Sequence, residues 1–375
     1  MVVNLVEQFA DKYDFFIVTR NYDSKGDREP YTTVKTNAWN DVGAAKVFYF
    51  GSGSLSIGKV VARVDEVRPD AIYLNSAFSM PVRQFLRARR QGSFPQLPVI
   101  LAPCGELAAG ALSVKPLKKK LFLRLALAAG LYRGVIWKAS FAAEANEIRS
   151  VIGPTTDVLV ARDLVAAGLL SDLDRSVKPR KEIGSVRLCY VSRIVPKKNL
   201  VYLLKCLKEI REGDVTLDLI GPPEDRKYWS ECQSLIAGLP PHIKVAVTGP
   251  LPHDETLQHL IRAHFLCLPT LNENFGYVFL EALAAGCPLL ISDRTSWNDV
   301  DKKGVGWATP LEQPDRYADR LRNCVAMGNV EYQQMSDRAV RYAENWLAAD
   351  DAQIANAAVL QYAFTNSRVS DSATA

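Results

Sequence analysis

Short apolar runs alternate with amphipathic stretches along most of the chain, and this alternation predicts an α/β protein. Fully apolar runs of this length are typical of parallel strands that helices cover on both faces. In the first half, the predicted strands are 15–19, 46–50, 71–75, 98–102, 134–138 and 157–160. Helical patterns such as 60–67 and 83–90 lie between most of these runs.

A second series of apolar runs follows a charged segment over 166–184, which we interpret as an interdomain linker. The predicted strands of this series are 186–192, 215–220, 243–247, 264–268 and 288–292, and helices fit at 199–211, 225–237, 254–262 and 277–285. Two such series predict two Rossmann-like domains that face each other across a cleft.

The expected domains are an N-terminal Rossmann-like domain over 1–165 and a C-terminal Rossmann-like domain over 185–345. Residues 346–375 form a C-terminal helix and tail, for which packing back on the first domain is one option. A domain of this kind should open with a strand and a glycine-rich turn. The chain instead starts in an amphipathic helix over residues 2–9, so the first strand of the N-terminal domain is expected to be missing.

The composition agrees with two ordinary globular domains. The chain has 375 residues, of which 48% are hydrophobic and 23% charged, so each half can bury a core of its own. The net charge of +5 is too small to indicate nucleic-acid binding. The seven cysteines lack C-x-x-C spacing and are expected in the core of a protein from a reducing compartment, and the four histidines lack zinc-site spacing. Neither a signal peptide nor a transmembrane helix is expected.

Two glutamates frame a predicted strand-turn-helix unit in the second domain. Glu273 ends the loop after strand 264–268, and Glu281 lies eight residues later in the helix 277–285. The first N–H groups of a helix point outward and bind anions, and carboxylates accept hydrogen bonds from sugar or ribose hydroxyls. The alternative interpretation is that Glu273 caps the helix and Glu281 lies on a solvated helix face.

A basic pair follows the first predicted strand of the second domain. Arg193 and Lys198 lie at the carboxyl end of that strand, where ligands bind in open parallel sheets. A guanidinium and an ammonium group together suit a diphosphate. The alternative is a solvated basic loop before a helix.

Together, the two clusters resemble the retaining, nucleotide-sugar-dependent glycosyltransferases of the GT-B fold, specifically glycosyltransferase family four. The resemblance covers residues 184–310 closely and the first domain loosely. It implies that the domain 1–165 lies on the acceptor side and that the domain 185–345 binds the nucleotide sugar. Through the family's E-x7-E motif it implies that Glu273 contacts the hydroxyls of the donor sugar and that Glu281 contacts the ribose. Arg193 and Lys198 would neutralise the diphosphate leaving group. The implied catalytic residues are Glu273, Arg193 and Lys198, and no metal or other cofactor is implied.

Further site candidates surround this core. The donor-binding candidates are Asn274, Phe275, Gly276, Tyr277, Gly221 and Gly249. The last two end strands, and the resemblance implies loops around the nucleobase and ribose, although a simple tight turn explains each as well. The acceptor-side candidates are Gly105, Glu106 and an exposed Trp297. A structural role for Glu106 at a helix start, or for Trp297 in packing, is the alternative.

The run from residue 107 to 143 contains no acid. Within it, the basic stretch 115–138 contains Lys115, Lys118, Lys119, Lys120, Arg124, Arg133 and Lys138. Helical periodicity places Lys119, Lys120 and Arg124 with Leu123, Leu127 and Leu131 on an outer face, and turns Leu117, Leu121 and Leu125 toward a core. Such an outer face suits an anionic membrane surface, and a solvated basic helix is the alternative.

The function expected from the resemblance is retaining transfer of a hexose-type sugar from a UDP sugar to an acceptor hydroxyl. The acceptor would be a cell-surface glycan or glycolipid, built in the cytoplasm or on the inner face of the membrane. Because the first strand is missing, a nucleotide-sugar-binding protein with weak or no catalysis is an alternative. A nucleotide-sugar epimerase is another.

Overall fold

The computed structural model describes residues 1–22, 29–53, 55–112, 116–166, 168–170, 173–349 and 351–371, with the side chains of 366–371 excluded. The chain divides into two compact units. The first comprises Met1–Ala167 and Asp350–Ala375, and the second comprises Gly168–Ala349.

The first unit begins with the predicted amphipathic helix, α1 (Val2–Phe9), which buries Leu5, Val6 and Phe9. Its remaining elements up to the boundary are β1 (Phe15–Arg20), β2 (Trp39–Val42), β3 (Ala45–Phe50), α2 (Ile57–Val67), β4 (Ile72–Asn75), α3 (Met80–Arg90), β5 (Val99–Ala102), α4 (Ala109–Leu112), α5 (Pro116–Ala128), β6 (Val135–Ala139), α6 (Ala142–Ile152) and β7 (Val158–Val160). Each strand predicted here is present, with its ends shifted by no more than two residues. The short strand β2 was not predicted.

The strands of the first unit fall into two sheets, with the orders β1-β3-β2 and β4-β5-β6-β7. In a Rossmann sheet the order is 3-2-1-4-5-6, so the first strand lies between the second and the fourth. We take β1 as the second strand of that order and β4 as the fourth. If the first strand is absent, the sheet divides between β1 and β4, as observed. Among the described residues no strand joins β1 to β4, although Phe48, Leu74 and Leu101 share one hydrophobic core across both sheets.

The second unit contains one parallel sheet covered by helices. Its elements are β8 (Ser185–Val191), α7 (Leu200–Lys208), β9 (Asp214–Ile220), α8 (Arg226–Ala237), β10 (Ile243–Gly249), α9 (His253–Arg262), β11 (Phe265–Leu268), α10 (Tyr277–Ala284), β12 (Leu289–Ser292), α11 (Val300–Lys303), β13 (Gly306–Thr309), α12 (Pro314–Ala326) and α13 (Asn329–Ala348). Short 3-10 helices lie at Arg175–Val177 and Pro196–Lys198. The strand β13 was not predicted.

The strand order of this sheet, β10-β9-β8-β11-β12-β13, determines where a ligand can bind. The chain proceeds outward from β8 in one direction and from β11 in the other, so the loops that follow these two strands diverge and leave a crevice between them. This topological switch point brings the segment after β8 next to the segment after β11. The predicted α/β class is confirmed. The sheets β4 to β7 and β8 to β13 are parallel, whereas β2 pairs antiparallel with β3 beside the parallel β1–β3 pair.

Two lysines of the segment predicted as a linker pack into the second unit, whereas Arg180, Glu182 and Ile183 of that segment are exposed. The Lys178 ammonium donates hydrogen bonds to the carbonyls of Ile261, Ala263 and Ala285, at the ends of α9 and α10. Burial lowers the pKa of Lys178 to about 8. Lys181 is also buried and donates to the Met327 carbonyl. These two lysines cap helix ends instead of extending into solvent.

The last helix, α14 (Asp351–Asp371), lies in the first unit. Its residues Val359, Leu360 and Ala363 pack with Leu5 and Phe9 of α1 in one hydrophobic cluster. This is the packing against the first domain that the sequence left open. The predicted tail residues 372–375 lie outside the described residues.

The helix α5 exposes the leucines that were expected to face a core. Leu117, Leu121 and Leu125 are 83%, 60% and 62% exposed. The core side of α5 instead holds Leu123 and Ala126, so the expectation is wrong. Because leucines surround this helix, periodicity alone could not tell its two sides apart.

Among the described residues, no helix is both long and apolar enough to cross a membrane. Contact of the basic stretch 115–138 with an anionic membrane surface stays a prediction, and Lys115 of that stretch lies outside the described residues.

Candidate functional site

The switch point of the second unit brings Lys198 and Glu273 together. Lys198 ends the 3-10 helix after β8, and its ammonium donates to a carboxylate oxygen of Glu273, in the loop after β11. The two side chains are only 12% and 14% exposed. A charge pair that is mostly shielded from water interacts more strongly than a surface pair, so the two groups hold each other in position.

Backbone contacts fix the loops that carry this pair. The Leu271 N–H donates to the Lys197 carbonyl at 2.8 Å, and the Thr270 hydroxyl donates to the same oxygen at 3.1 Å. The Glu273 N–H donates to the Arg294 carbonyl beyond β12 at 3.1 Å. The carboxylate is therefore held by the strand ends on both sides of it.

Gly276 starts α10 and lets the helix end approach the carboxylate. Its φ of +70° lies in the left-handed region, and a Cβ there would lie 2.7 Å from the Phe279 ring and 2.9 Å from Cγ of Glu273. A side chain at this position would displace Glu273. The start of α10, where a helix is positive, therefore lies against the Glu273 side chain that also contacts Lys198.

The turn that precedes α10 rests on an aromatic cluster. Phe275 is buried against Tyr277, Trp297 and Trp346, and the Trp297 indole N–H donates to the Phe275 carbonyl at 2.6 Å. The expectation that Trp297 is exposed is wrong, because only 4% of it is accessible. An indole whose N–H has a hydrogen-bond acceptor is stable in a core. Trp297 therefore packs under the turn and stabilises it through the Phe275 carbonyl.

Glu281 lies inside α10 close to a residue that the sequence did not indicate. Oε1 of Glu281 is 3.9 Å from Nδ1 of His253, the first residue of α9. Burial raises the pKa of Glu281, and the His253 side chain opposes that shift. Glu281 is therefore a shielded carboxylate rather than a solvated one, which favours the binding interpretation over the alternative.

Replacing Glu281 with glutamine should stabilise the protein at neutral pH. Because the folded state binds the proton of Glu281 more tightly, the carboxyl group favours folding below its ordinary pKa of 4.5, and that contribution is lost as the pH rises through the raised pKa. Melting curves should therefore show a higher Tm for Glu281→Gln at about pH 7 and convergence with the wild type near about pH 4. The exposed Glu344→Gln variant is the control, and a wild type that gains on Glu281→Gln as pH rises would contradict this sign.

Arg193 lies apart from the Lys198–Glu273 pair in its contacts. The guanidinium is exposed and forms a 3.1 Å ion pair with Glu224, in the loop after β9. That loop begins at Gly221, whose N–H donates to the Gly249 carbonyl at 2.8 Å. The loops after β8, β9 and β10 are thus connected, with Arg193 at their outer side.

The acceptor-side candidates in the first unit take part in internal hydrogen bonds. The Gly105 N–H donates to the buried Glu144 at 2.6 Å. The Glu106 carboxylate accepts from the Ser76 hydroxyl at 2.9 Å and from the Ala77 N–H at 2.7 Å. Glu106 therefore connects the loop after β5 to the loop after β4, which agrees with its structural alternative, and Gly105 connects the loop after β5 to α6.

A buried polar cluster lies at the carboxyl ends of β6 and β7, and the sequence did not indicate it. Lys138 of β6 forms a 2.5 Å ion pair with Asp163, and the Ser140 hydroxyl donates to the same carboxylate oxygen at 2.9 Å. Cys104, close to the carboxylates of Asp163 and Glu144, is exposed, whereas the ion pair itself is shielded from water.

The sequence feature that could have indicated these unpredicted residues is their position directly after a predicted strand. His253, Glu224 and Asp163 each follow a parallel strand at its carboxyl end, which is the ligand-binding edge of such sheets. Within the described ranges, no three His, Cys, Asp or Glu side chains come close enough together to hold a metal ion. All seven cysteines are free, and all except Cys104 are buried.

Comparison with known proteins identifies the kind of fold. Residues 175–346 match the family model described as glycosyl transferases group 1. An uncharacterized glycosyltransferase of Methanocaldococcus jannaschii is 30% identical over 153 residues, which are 39% of this chain and 38% of that protein. A phosphatidyl-myo-inositol mannosyltransferase of Mycobacterium leprae is 30% identical over 130 residues, 34% of this chain and 33% of that protein. The matches therefore span little more than a third of these relatives' length.

Solved structures match across both units. The sucrose-phosphate synthase of Thermosynechococcus elongatus superposes with a TM-score of 0.72 at 14% identity, over 97% of this chain and 92% of that chain. HepE of Anabaena, in complex with UDP and glucose, superposes with a TM-score of 0.57 at 16% identity, over 85% of each chain. The chain has the GT-B fold of these glycosyltransferases.

Proposed function

We propose that this protein transfers a hexose-type sugar from a UDP sugar to an acceptor hydroxyl, with retention of the anomeric configuration. The observation that carries this proposal is the shielded Lys198–Glu273 pair at the N-terminus of α10, at the switch point of the second unit. It lies inside the segment that matches the glycosyltransferase family model. The proposed product is a cell-surface glycan or glycolipid.

Lys198 and the N-terminus of α10 would bind the donor diphosphate. Both are positive, and they lie in the segments that follow β8 and β11, the two strands at the switch point. Since the bond to the sugar breaks at the diphosphate, negative charge develops there, and fixed positive groups lower the barrier. Arg193, at the outer side, would leave Glu224 to contact a phosphate bidentately. With this charge in place we propose that turnover requires no metal and continues in EDTA.

The carboxylates would bind the hydroxyl groups of the donor. Glu273 would accept from the sugar hydroxyls and Glu281 from the ribose, as the resemblance to family four implies. The loops at Gly221 and Gly249 would surround the base. Support for uridine comes from HepE, a protein of the same fold described in complex with UDP and glucose. The proposed retention of the anomeric configuration rests on the resemblance to family four. The six buried cysteines with free thiols support a location in the reducing cytoplasm.

Binding of the donor should raise the Tm of the full chain. A ligand at about 100 times its Kd stabilises the folded state by about 2.7 kcal/mol, which corresponds to roughly 5–10 °C for a unit of this size. The measurement is a thermal shift assay with UDP, GDP and ADP and their glucose conjugates, followed by donor consumption and the anomeric configuration of the product by NMR.

Each outcome of that assay separates the candidates. A shift with UDP sugars, transfer and a retained anomeric configuration support the proposal. Binding without turnover that depends on Glu273 indicates a nucleotide-sugar-binding protein, and conversion of the donor sugar without acceptor indicates an epimerase. If no nucleotide sugar raises the Tm, the proposed donor site is wrong.

A further inference from the structure

The first unit has a gap between β1 and β4, where the order of a Rossmann sheet places one more strand. Among the described residues, β1 pairs with β3 and β4 pairs with β5, so each of the two strands has one edge without a neighbour. A sheet of this order holds its first strand between these two edges. They therefore belong to one position, whereas β2 and β7 lie at the outer edges of their sheets.

The backbone of β1 directs hydrogen-bonding groups into this gap. The Asn21 N–H, directly after β1, donates to the Phe50 carbonyl of β3 at 3.0 Å. Parallel strands bond each neighbour through alternate residues, so Thr19 also bonds to β3. Phe16 and Val18 alternate with these residues, and their N–H and C=O groups point away from β3. In the described part of the chain, no other strand pairs with them.

The backbone of β4 does the same from the opposite side. The N–H groups of Ile72 and Ser76 donate toward β5, each at 2.9 Å. Tyr73 and Asn75 alternate with them, so their N–H and C=O groups point into the gap. Two such rows of donors and acceptors can pair with one extended chain from both sides.

Apolar residues cover the gap on both faces of the sheet. On one face, Val18 and Leu74 belong to the hydrophobic core that the two sheets share. On the other face, α1 packs on both sheets, through Leu5 toward β4 and through Val6 toward β1 and β3. A small cavity beneath α1 is lined by Leu5 and Tyr73. A chain in the gap is therefore buried on both faces, which requires apolar residues and favours β-branched ones.

We propose that the gap binds an extended apolar segment of another polypeptide, which pairs in parallel with β1 and β4 and completes the sheet. Because β1 has six residues and β4 has four, a segment of about five residues fits. The undescribed parts of this sequence contain no run of five apolar residues, so the segment comes from outside it. Backbone pairing supplies the affinity, and burial of the side chains selects an apolar segment.

The test is fluorescence anisotropy of a labelled peptide titrated with the full chain. The peptide has blocked ends and a run of about five valine and isoleucine residues between pairs of lysines that keep it soluble. Saturable binding is expected. A control peptide with proline at the central position should bind at least about tenfold more weakly, because proline cannot donate to the ladder and does not fit a strand that is paired on both sides.

Hydrogen exchange measured by mass spectrometry should locate the bound peptide on the wild type. Exchange should slow in Phe15–Arg20 and Ile72–Asn75, whose outward N–H groups gain partners. It should stay unchanged in Val158–Val160, at the outer edge of β7.

A proline variant of β1 and a matched one of β7 test the same contact from the side of the protein. Val18→Pro removes an N–H that points into the gap and leaves the bonds to β3 in place, so it should weaken peptide binding by at least about tenfold. Val160→Pro is the control, because the Ala161 N–H donates to the Ala139 carbonyl and Val160 therefore directs its own N–H away from β6. This control should bind the peptide as the wild type does.

Four results would overturn the proposal. These are absence of peptide binding, equal binding of the two peptides, protection from exchange outside β1 and β4, and equal loss of binding in the two proline variants. If Val18→Pro does not fold, the two peptides and the exchange pattern of the wild type decide the question. No nucleotide sugar is needed for these measurements, so their failure leaves the proposed function to be tested separately.

Discussion

Glu273→Gln is expected to lower kcat for sugar transfer by about 10² to 10³. Glutamine keeps the shape of the side chain but has no charge to hold Lys198, and its amide can accept at only one atom from sugar hydroxyls. The ammonium group then loses the partner that fixes its position beside the N-terminus of α10. Initial rates with saturating donor measure this effect, and the exposed Glu344→Gln variant is the control.

Stability measurements separate catalysis from folding in this variant. Lys198 is only 12% exposed, so loss of its partner should also cost roughly 1–3 kcal/mol of unfolding free energy. The double variant Lys198→Gln/Glu273→Gln removes both charges and should regain part of that stability while remaining inactive. Full turnover of Glu273→Gln would show that the proposed catalytic site lies elsewhere.

Gly221→Ala is expected to lower the unfolding free energy of the second unit by about 3–5 kcal/mol, or roughly 10 °C in Tm. The φ of Gly221 is +131°, and a Cβ there would lie 2.1 Å from the Ser192 carbonyl oxygen. Because that obstacle is backbone, it cannot rotate away. The loops after β8 and β9 would have to separate.

Gly249→Ala is the matched comparison for this effect. Gly249 also ends a strand with a positive φ, +79°, but nothing lies within 4 Å of the position of its Cβ. Only conformational strain remains, so the expected loss is about 1 kcal/mol. Tryptophan fluorescence suits both melts, because four of the six tryptophans lie in the second unit. Equal losses for the two variants would contradict the close backbone approach at Gly221.

The regular elements were largely predictable from the sequence because their signal is local. Apolar runs between helical patterns located β8 to β12 within two residues. The strands β2 and β13 were not predicted because they are only partly buried and carry no apolar run. The spacing between Glu273 and Glu281 was likewise predictable, because only one turn and one helix separate the two residues.

Contacts between distant segments were not predictable. Arg193 and Lys198 are five residues apart, yet one pairs with Glu224 and the other with Glu273. His253 had been considered only as a metal ligand, and its place beside Glu281 depends on how α9 packs against α10. Hydrophobic periodicity cannot predict such contacts between distant segments, because the contacts result from the strand order and not from the spacing of residues within one segment.

The sequence by itself determined two series of parallel strands, the helix that opens the chain and the chemical groups at the strand ends. Those properties follow from hydrophobic periodicity and from local turn geometry. Only the tertiary structure decided which side of α5 is buried, that Trp297 lies in a core and that Lys198 meets Glu273. Burial depends on what the neighbouring elements cover, and a leucine-rich helix or a lone tryptophan fits either side until its neighbours are in place.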